Sequence, residues 1–174
     1  MLSGPSGSGK TLLLRAIADL DPHEGEVRLD GRACEAFAPA QWRRAVGLLP
    51  AESQWWLDTV REHFALGVPE ADALGSLGFE GDVLDWEVAR LSSGERQRLG
   101  LLRLLAGQPR VLLLDEPTAH LDARSADAVI THVERYRERL RCPVLWVAHD
   151  ASLRARTKAR GLRLEDGRLE EEPA

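Results

Sequence analysis

The first part of the chain alternates between stretches with apolar residues at helical spacing and short runs typical of strands. TLLLRAIADL, from Thr11, has helical spacing and ends at Asp21-Pro22. EVRLDG alternates apolar and polar residues, which indicates a strand that closes in a turn at Gly31. APAQWRRA predicts a short helix with Pro39 near its first turn, and the apolar run AVGLLP predicts a buried strand.

The last part of the chain shows the same alternation more strongly. VLLLDE and PVLWVAHD are apolar runs that predict central strands, and ERQRLGLLRLLAG predicts a helix that ends at Gly107. SADAVITHVERYRERL has the pattern of an amphipathic helix, and RGLRLEDGRLEE predicts two short strands around Asp166-Gly167. Helices that alternate with buried strands indicate an α/β fold with a mainly parallel sheet flanked by helices.

Residues 52–94 have a different character. Their pattern is helical, they hold three of the five tryptophans, and several glycines and Pro69 interrupt them. We interpret this segment as a small helical insert within a single domain. The core is then formed by residues 1–51 and 108–174, and residues 52–107 hold the insert and the helix that follows it.

Composition excludes several classes of protein. With 174 residues, 44% apolar and 29% charged, the chain is typical of one soluble globular domain, and no apolar run reaches the about 20 residues that span a bilayer. The net charge of −5 argues against a nucleic-acid partner. No secretory signal is visible, so we expect a cytoplasmic location. Cys34 and Cys142 lack metal-ligand spacing and are interpreted as small apolar residues of the core.

The segment GPSGSGKT matches the complete phosphate-binding loop pattern. Glycines let backbone N–H groups converge on phosphates, and the following helix adds its N-terminal dipole. Lys10 is expected to reach the β- and γ-phosphates, and the Thr11 hydroxyl to bind Mg²⁺. A flexible Gly/Ser-rich terminus is the alternative interpretation. The residues expected to contact nucleotide are Gly4, Ser6, Gly7, Ser8, Gly9, Lys10, Thr11 and Leu12.

A second candidate site lies at the end of VLLLDEP. Asp115 and Glu116 stand at the carboxyl end of a predicted parallel strand, where α/β sheets bind ligands. Asp115 is placed to hold Mg²⁺, and Glu116 to polarise the attacking water as general base. Together with the phosphate loop, this pair indicates a nucleotide hydrolase.

The segment LSSGERQR, from Leu91 to Arg98, narrows the class because it resembles the LSGGQ signature of ABC ATPases. AHLD resembles the D-loop of that family, and His149 in VAHD falls at its switch histidine. The motifs occur in the order of the family, and the resemblance extends from Leu2 to about Leu169. It implies a P-loop NTPase fold with a RecA-like core.

The resemblance further implies a head-to-tail dimer that shares two ATP molecules. Each ATP would lie between the phosphate loop of one subunit and the signature of the other. The signature residues expected at the nucleotide are Ser92, Gly94 and Glu95, which replaces the usual glutamine. Asp122 is expected at the dimer seam, and His149 at the γ-phosphate as a catalytic group beside Glu116 and Lys10.

The implied partners are a second ABC ATPase domain, most simply an identical copy, and a transmembrane permease subunit. The protein would then lie on the inner face of the cell membrane, with ATP and Mg²⁺ as its ligands. A soluble ABC ATPase without a transport role is one alternative. A nucleotide-binding module with weak or no hydrolysis is another.

Two departures from the family pattern concern nucleotide binding. Family members carry an N-terminal antiparallel region with an aromatic residue that stacks on adenine, whereas here only Met1 to Ser3 precede the loop. We therefore expect that region to be mostly absent and adenine to be bound weakly. The start codon is misassigned, the gene is a fragment, or another chain supplies the missing strand, and we favour the first explanation. The Q-loop glutamine is replaced by Ala51, and Glu52, or less readily Gln54, is the candidate substitute as a metal ligand.

A third departure is an insert that is shorter than is typical of the family. In transporters this region receives a helix of the membrane subunit. Trp55 and Trp56 are candidate exposed anchors for such a partner, with packing inside the insert as the alternative. Trp86 is expected in the core.

Overall fold

Eight strands and six α-helices make up the described part of the chain, which is residues 1–148 and 151–172 of a computed structural model. The strands are β1 (Leu2–Ser3), β2 (Arg28–Leu29), β3 (Arg32–Ala33), β4 (Val46–Leu49), β5 (Val111–Asp115), β6 (Val144–Val147), β7 (Gly161–Glu165) and β8 (Arg168–Glu172). The α-helices are α1 (Lys10–Ile17), α2 (Pro39–Ala45), α3 (Ala71–Ser76), α4 (Ser93–Ala106), α5 (Ala123–Leu140) and α6 (Ala151–Thr157). The structure is an α/β fold with a mainly parallel sheet flanked by helices, as the sequence predicts.

The main sheet has six strands in the order β4-β5-β6-β1-β7-β8. All neighbours pair in parallel except β7 and β8, which pair antiparallel around the predicted turn at Asp166-Gly167. In the middle of the sheet Leu114 lies opposite Leu49 on one side and Trp146 on the other. Strand β5 is almost fully buried because helices cover both faces of a parallel sheet, which explains its continuous apolar sequence.

Strand β1 has only two residues but lies at the centre of the sheet. Leu2 pairs with Val147 of β6 and with Leu162 of β7, and its side chain is fully buried. The phosphate loop follows β1 directly, so the position of that loop is set from both sides by neighbouring strands.

A separate hairpin of β2 and β3 follows α1. Its turn is formed by Asp30 and Gly31, whose φ angles of 49° and 78° are those of a turn matched to the twist of a hairpin. The predicted strand and turn are therefore present, although the strand is shorter than its apolar pattern indicates. This hairpin and the β7–β8 pair are the antiparallel strand pairs of the described structure, and an isolated antiparallel bridge joins Thr59 and Glu87.

Four of the α-helices agree with the pattern-based predictions: α1, α2, α4 and α5. The pattern did not predict α6, a short helix of seven residues that has only a few apolar positions. Among the described residues no helix is both long and apolar enough to cross a membrane.

The segment between β4 and α4 contains one α-helix of six residues, α3, and otherwise 3₁₀-helices at Arg61–His63, Gly81–Asp85 and Val88–Arg90. Helical turns stay short here because glycines and Pro69 interrupt them. Buried side chains of the segment, such as Val60, Leu74 and Val83, join the same apolar cluster as Leu101 of α4. The insert thus packs onto the signature helix rather than forming a core of its own.

The two cysteines are buried and free, which agrees with their interpretation as small core residues. Burial raises the pKa of both thiols above the ordinary value. Trp86 is partly buried against the main apolar cluster, and its indole N–H donates to Asp82 Oδ2.

The single tyrosine links α5 to the loop before β5. Tyr136 is buried, its hydroxyl donates to the carbonyl of Pro109 at 2.8 Å, and burial raises the pKa of Tyr136 to about 12. We expect Tyr136→Phe to lower the free energy of unfolding by about 1 kcal/mol, measured by urea denaturation at neutral pH, because the Pro109 carbonyl loses its partner.

The same residue makes stability depend on alkaline pH. The unfolded phenol ionises near its ordinary pKa of 10.0, whereas the folded one stays protonated to about 12. The contribution of the protonated Tyr136 to the free energy of unfolding is therefore complete below pH 10 and is lost as the pH rises through 12. Tyr136→Phe should not show this loss. Tyrosinate absorbance of the folded protein checks the cause, and ionisation near pH 10 would contradict it.

Candidate nucleotide-binding site

The loop between β1 and α1 has the backbone of an anion-binding cradle. Gly4, Gly7 and Gly9 have φ angles of 144°, 80° and 97°, in the region that favours glycine. Helix α1 begins directly after Gly9, and no side chain caps its N-terminus. The first-turn N–H groups of α1 are therefore available to an anionic ligand, and the helix dipole favours the same charge.

Side chains of the loop provide further donors. Lys10 is 7% exposed, and its ammonium donates to the carbonyls of Gly4 and Pro5 at 2.9 and 2.8 Å. A lysine has three N–H donors, so one remains for a phosphate oxygen. Ser8 Oγ is buried and has no hydrogen-bond partner among the described residues. Both groups fit a phosphate held in the loop.

The other predicted loop residues are more exposed. Ser6 and Gly7 face solvent at the tip of the loop, and Leu12 is 65% exposed on the first turn of α1. They line the open side of the cradle.

The phosphate loop and the acidic strand meet in one hydrogen bond. Thr11 Oγ1 donates to Asp115 Oδ2 at 2.8 Å, across 104 positions of sequence. Asp115 is 3% exposed at the carboxyl end of β5, as predicted. A hydroxyl beside a carboxylate is the oxygen donor set that Mg²⁺ accepts while keeping waters and phosphate oxygens as its other ligands. The two residues therefore fit a magnesium ion.

Glu116 is held in an unusual backbone conformation directly after Asp115. Its φ is 47°, its N–H donates to the carbonyl of Val147, and its carbonyl accepts from Ala119. The residue lines a cavity of about 410 Å³ together with Thr118, Leu121 and Ala148. The cavity lies towards α5 and α6, and no residue of the phosphate loop lines it.

The signature segment begins helix α4. Ser92 is the N-cap residue, and its hydroxyl oxygen accepts from the N–H of Glu95 at 3.3 Å. In return, the Glu95 carboxylate accepts from the N–H and the hydroxyl of Ser92 at 2.8 and 2.7 Å. These hydrogen bonds from Ser92 lower the pKa of Glu95. The motif is therefore a capping box as well as a candidate phosphate contact.

The D-loop residue Asp122 caps helix α5 in a similar way. Its carboxylate accepts from the N–H and the hydroxyl of Ser125 at 3.0 and 2.7 Å, which lowers the pKa of Asp122. Arg98 of the signature helix donates to the same Ser125 hydroxyl at 3.0 Å. A Cβ on Gly94 would lie 3.1 Å from Leu121, so the signature and the D-loop are packed side by side.

The segment after β4 is held to α4 by a buried amide. Gln97 accepts at Oε1 from the N–H and the hydroxyl of Ser53, and its Nε2 donates to the carbonyl of Pro50. Glu52 is exposed on this loop, and the hydrogen bonds of the described residues do not connect it to Thr11 or Asp115. The structure thus brings Thr11 and Asp115 together but not Glu52 with them.

His63 organises the tryptophan pair. It is 5% exposed, its Nε2 accepts from the N–H groups of Trp56 and Leu57, and its Nδ1 lies 2.9 Å from the carbonyl of Thr59. This pattern requires the neutral ring with the proton on Nδ1. Trp56 is 70% exposed, as expected for a partner anchor, whereas Trp55 packs against the core, as in the alternative interpretation.

Arg103 of α4 completes this cluster. Its guanidinium lies 4.5 Å from the ring centre of Trp55 and 5.1 Å from that of Trp56, and it donates to the carbonyl of Gln54. Sequence reasoning assigned no role to Gln97, His63 or Arg103. A polar residue within an otherwise apolar helix face, such as Gln97, is the one signal that indicates such a contact.

The predicted switch histidine, His149, lies outside the described residues. Among the described residues no group of three or more His, Cys, Asp or Glu side chains is placed to hold a metal ion. Of the three predicted magnesium ligands, Thr11 and Asp115 are in contact through their hydrogen bond.

This fold and this loop define a P-loop nucleotide-binding protein. The family model described as ABC transporter matches residues 1–119, which is more than half of the chain. The chain therefore belongs to the ABC transporter ATP-binding family.

Relatives and solved structures agree with this assignment. The chain is 41% identical over 160 residues to the molybdenum import ATP-binding protein ModC 2 of Bradyrhizobium diazoefficiens, covering 84% of this chain and 18% of that protein. It is 38% identical over 183 residues to ModC of Thiobacillus denitrificans, covering 96% of this chain and 50% of that protein. The chain thus spans about half the length, or less, of the curated relatives it matches.

Two solved structures share the fold. A dimeric ATP-binding cassette in a post-hydrolysis state, bound to ADP and Pi, superposes with a TM-score of 0.83 at 28% identity, covering 99% of this chain and 84% of that one. A bacterial Atm1-family ABC exporter with ATP bound superposes with a TM-score of 0.80 at 29% identity, covering 97% of this chain and 32% of that one.

Gly4 provides a test of the cradle. A Cβ at this position would lie 2.2 Å from the carbonyl oxygen of Leu164, in addition to the strain of its φ. We expect Gly4→Ala to abolish binding of a fluorescent ATP analogue and to destabilise the fold by more than the about 1 kcal/mol that left-handed strain costs.

Gly25→Ala is the matched control, because Gly25 has a φ of 99° and nothing within 4 Å of its Cβ position. This variant should show the strain alone and bind the analogue like the parent. A Gly4→Ala protein that binds with the affinity of the parent would contradict the assignment of the loop.

Proposed function

We propose that this chain is the ATP-binding subunit of an ABC transporter and hydrolyses ATP in a head-to-tail dimer to drive transport through separate membrane subunits. The observation that carries the proposal is the hydrogen bond between Thr11 and Asp115. It brings the phosphate loop and the acidic end of β5 to one place, as a hydrolase of a magnesium–nucleotide complex requires.

The nucleotide phosphates are bound by the first-turn N–H groups of α1, by Lys10 and by Ser8 Oγ. Helix dipole and ammonium both favour a polyanion, and the buried Ser8 hydroxyl gains the partner it lacks among the described residues. The exposed Ser6, Gly7 and Leu12 border the same ligand.

Thr11 and Asp115 would hold magnesium, which would supply positive charge that neutralises the phosphates. Glu116 accepts the proton of the attacking water at its carboxylate, from its position directly after Asp115 at the end of β5. We assign His149 to the γ-phosphate as in the family pattern.

The second half of the site comes from a partner ATPase domain. Ser92 is exposed at the start of α4, where its hydroxyl and the N–H of Gly94 reach the γ-phosphate held by the partner. Asp122 lies at the seam, next to the signature through Ser125 and Arg98. Because both halves of a composite site occur in this chain, a homodimer is the simplest assembly.

A transmembrane permease subunit is the second partner. Trp56 and Leu57 expose apolar surface beside the Glu52 loop and form the proposed contact with that subunit. The protein would then lie at the inner face of the membrane, and the names of the ModC relatives favour an importer. The net charge of −5 gives no support to a nucleic-acid partner.

One observation favours a second candidate, a nucleotide-binding module with little hydrolysis. Ala51 stands at the position of the Q-loop glutamine and offers no oxygen to magnesium. Mg²⁺-dependent ATPase activity of the parent protein separates the two functions, because the module would hydrolyse little ATP.

We expect Glu116→Gln to reduce Mg²⁺-dependent ATPase activity by at least about a hundredfold while ATP binding remains, because the amide does not accept a proton from water. Phosphate release measures the first effect, and gel filtration with ATP detects the trapped dimer. Glu24→Gln, which removes an exposed charge away from the site, is the control. Equal hydrolysis by Glu116→Gln and the parent would show that Glu116 is not the base.

Glu52 has its own test. If its carboxylate approaches magnesium in the closed dimer, Glu52→Ala raises the Mg²⁺ concentration for half-maximal ATPase activity several-fold, because one oxygen ligand is lost. Gln54→Ala, on the same exposed loop, should leave that concentration unchanged. An unchanged magnesium requirement in Glu52→Ala would exclude Glu52 as a ligand.

A further inference from the structure

The signature serine is already engaged within its own subunit. Ser92 donates its hydroxyl proton to the Glu95 carboxylate at 2.7 Å, and its oxygen accepts from the Glu95 N–H at 3.3 Å. A serine hydroxyl has a single proton. As long as the Ser92 hydroxyl donates its proton in a hydrogen bond to Glu95, it has no second proton to donate to a phosphate.

We propose that Glu95 restrains the composite ATP site by holding the Ser92 hydroxyl and by placing a negative charge where the partner's γ-phosphate binds. The inference rests on the proposed function and concerns the affinity of the dimer for ATP, not the chemistry of hydrolysis. Glu95 thereby sets a higher ATP concentration for dimer closure than a neutral side chain would set.

The physical argument compares a carboxylate with its amide. A Glu95→Gln side chain has the same shape, and its Oε1 accepts from the same two Ser92 donors, so the cap of α4 is kept. Hydrogen bonds to a charged acceptor are roughly twice as strong as those to a neutral one. The amide therefore releases the hydroxyl more easily and does not repel the phosphate.

The size of the effect follows from these bond strengths. Replacing the charged acceptor by a neutral one corresponds to about fivefold in affinity at each site. A homodimer holds two such sites, so the dissociation constant of the ATP-bound dimer falls roughly 25-fold in the variant.

The chain offers a matched control for the substitution. Glu62 accepts from the N–H and the hydroxyl of Thr59 at 2.8 and 2.7 Å, the same pair of contacts at the same sequence spacing. This pair lies in the insert, outside the proposed nucleotide contacts. Glu62→Gln therefore removes an equivalent charge from the same pair of N–H and hydroxyl contacts without touching the composite site.

The experiment measures ATP-dependent dimerisation by sedimentation velocity with Glu116→Gln as parent, so that turnover does not intervene. We expect the added Glu95→Gln to tighten the dimer roughly 25-fold and the added Glu62→Gln to leave it unchanged. Glu95→Ala, which removes the carboxylate and its acceptor atoms together, should change dimerisation in the same direction. Thermal unfolding verifies that each variant is folded.

The outcomes separate the inference from the function on which it rests. Equal or weaker dimerisation of Glu95→Gln, or equal tightening by Glu62→Gln, would overturn the restraint while the transporter function stands. A parent that binds no fluorescent ATP analogue and forms no dimer would instead contradict the proposed function itself.

Discussion

The position of the two-residue strand β1 is the constraint on which the described structure depends. Its backbone pairs with β6 on one side and β7 on the other, and Leu2 is fully buried between them. Because β6 also pairs with β5, this placement sets the phosphate loop close to the acidic end of β5. Thr11 and Asp115 meet for that reason, although a hundred residues separate them.

The signature and the D-loop each begin a helix with a side-chain cap. Ser92 and Asp122 are helix N-caps, and both use their side chains to satisfy the N–H groups that a helix start leaves unpaired. The hydrogen bond from Arg98 to Ser125 then connects helix α4 to the cap of α5. A motif assigned to nucleotide binding therefore also stabilises its own helix, and the two demands compete for the Ser92 hydroxyl.

Buried polar side chains hold the insert against the signature helix. Gln97 satisfies backbone groups of the loop after β4, and His63 satisfies those of the turn that carries the tryptophans. Such groups are costly to leave unpaired, so they specify one arrangement of a segment that has little regular helix. The exposed Trp56 is thereby presented on an ordered surface.

The sequence by itself determined the phosphate loop, the strands β5 and β6 and most of the α-helices, because glycine content, capping residues and apolar spacing act between near neighbours. It missed α6, and it did not indicate the contacts of His63 or Arg103. The motifs predicted that Thr11 and Asp115 share one magnesium ion, whereas the direct hydrogen bond between them, in which Glu52 takes no part, was decided by tertiary structure. Contacts of that kind depend on strand order and on loop paths, which apolar spacing along the chain does not encode.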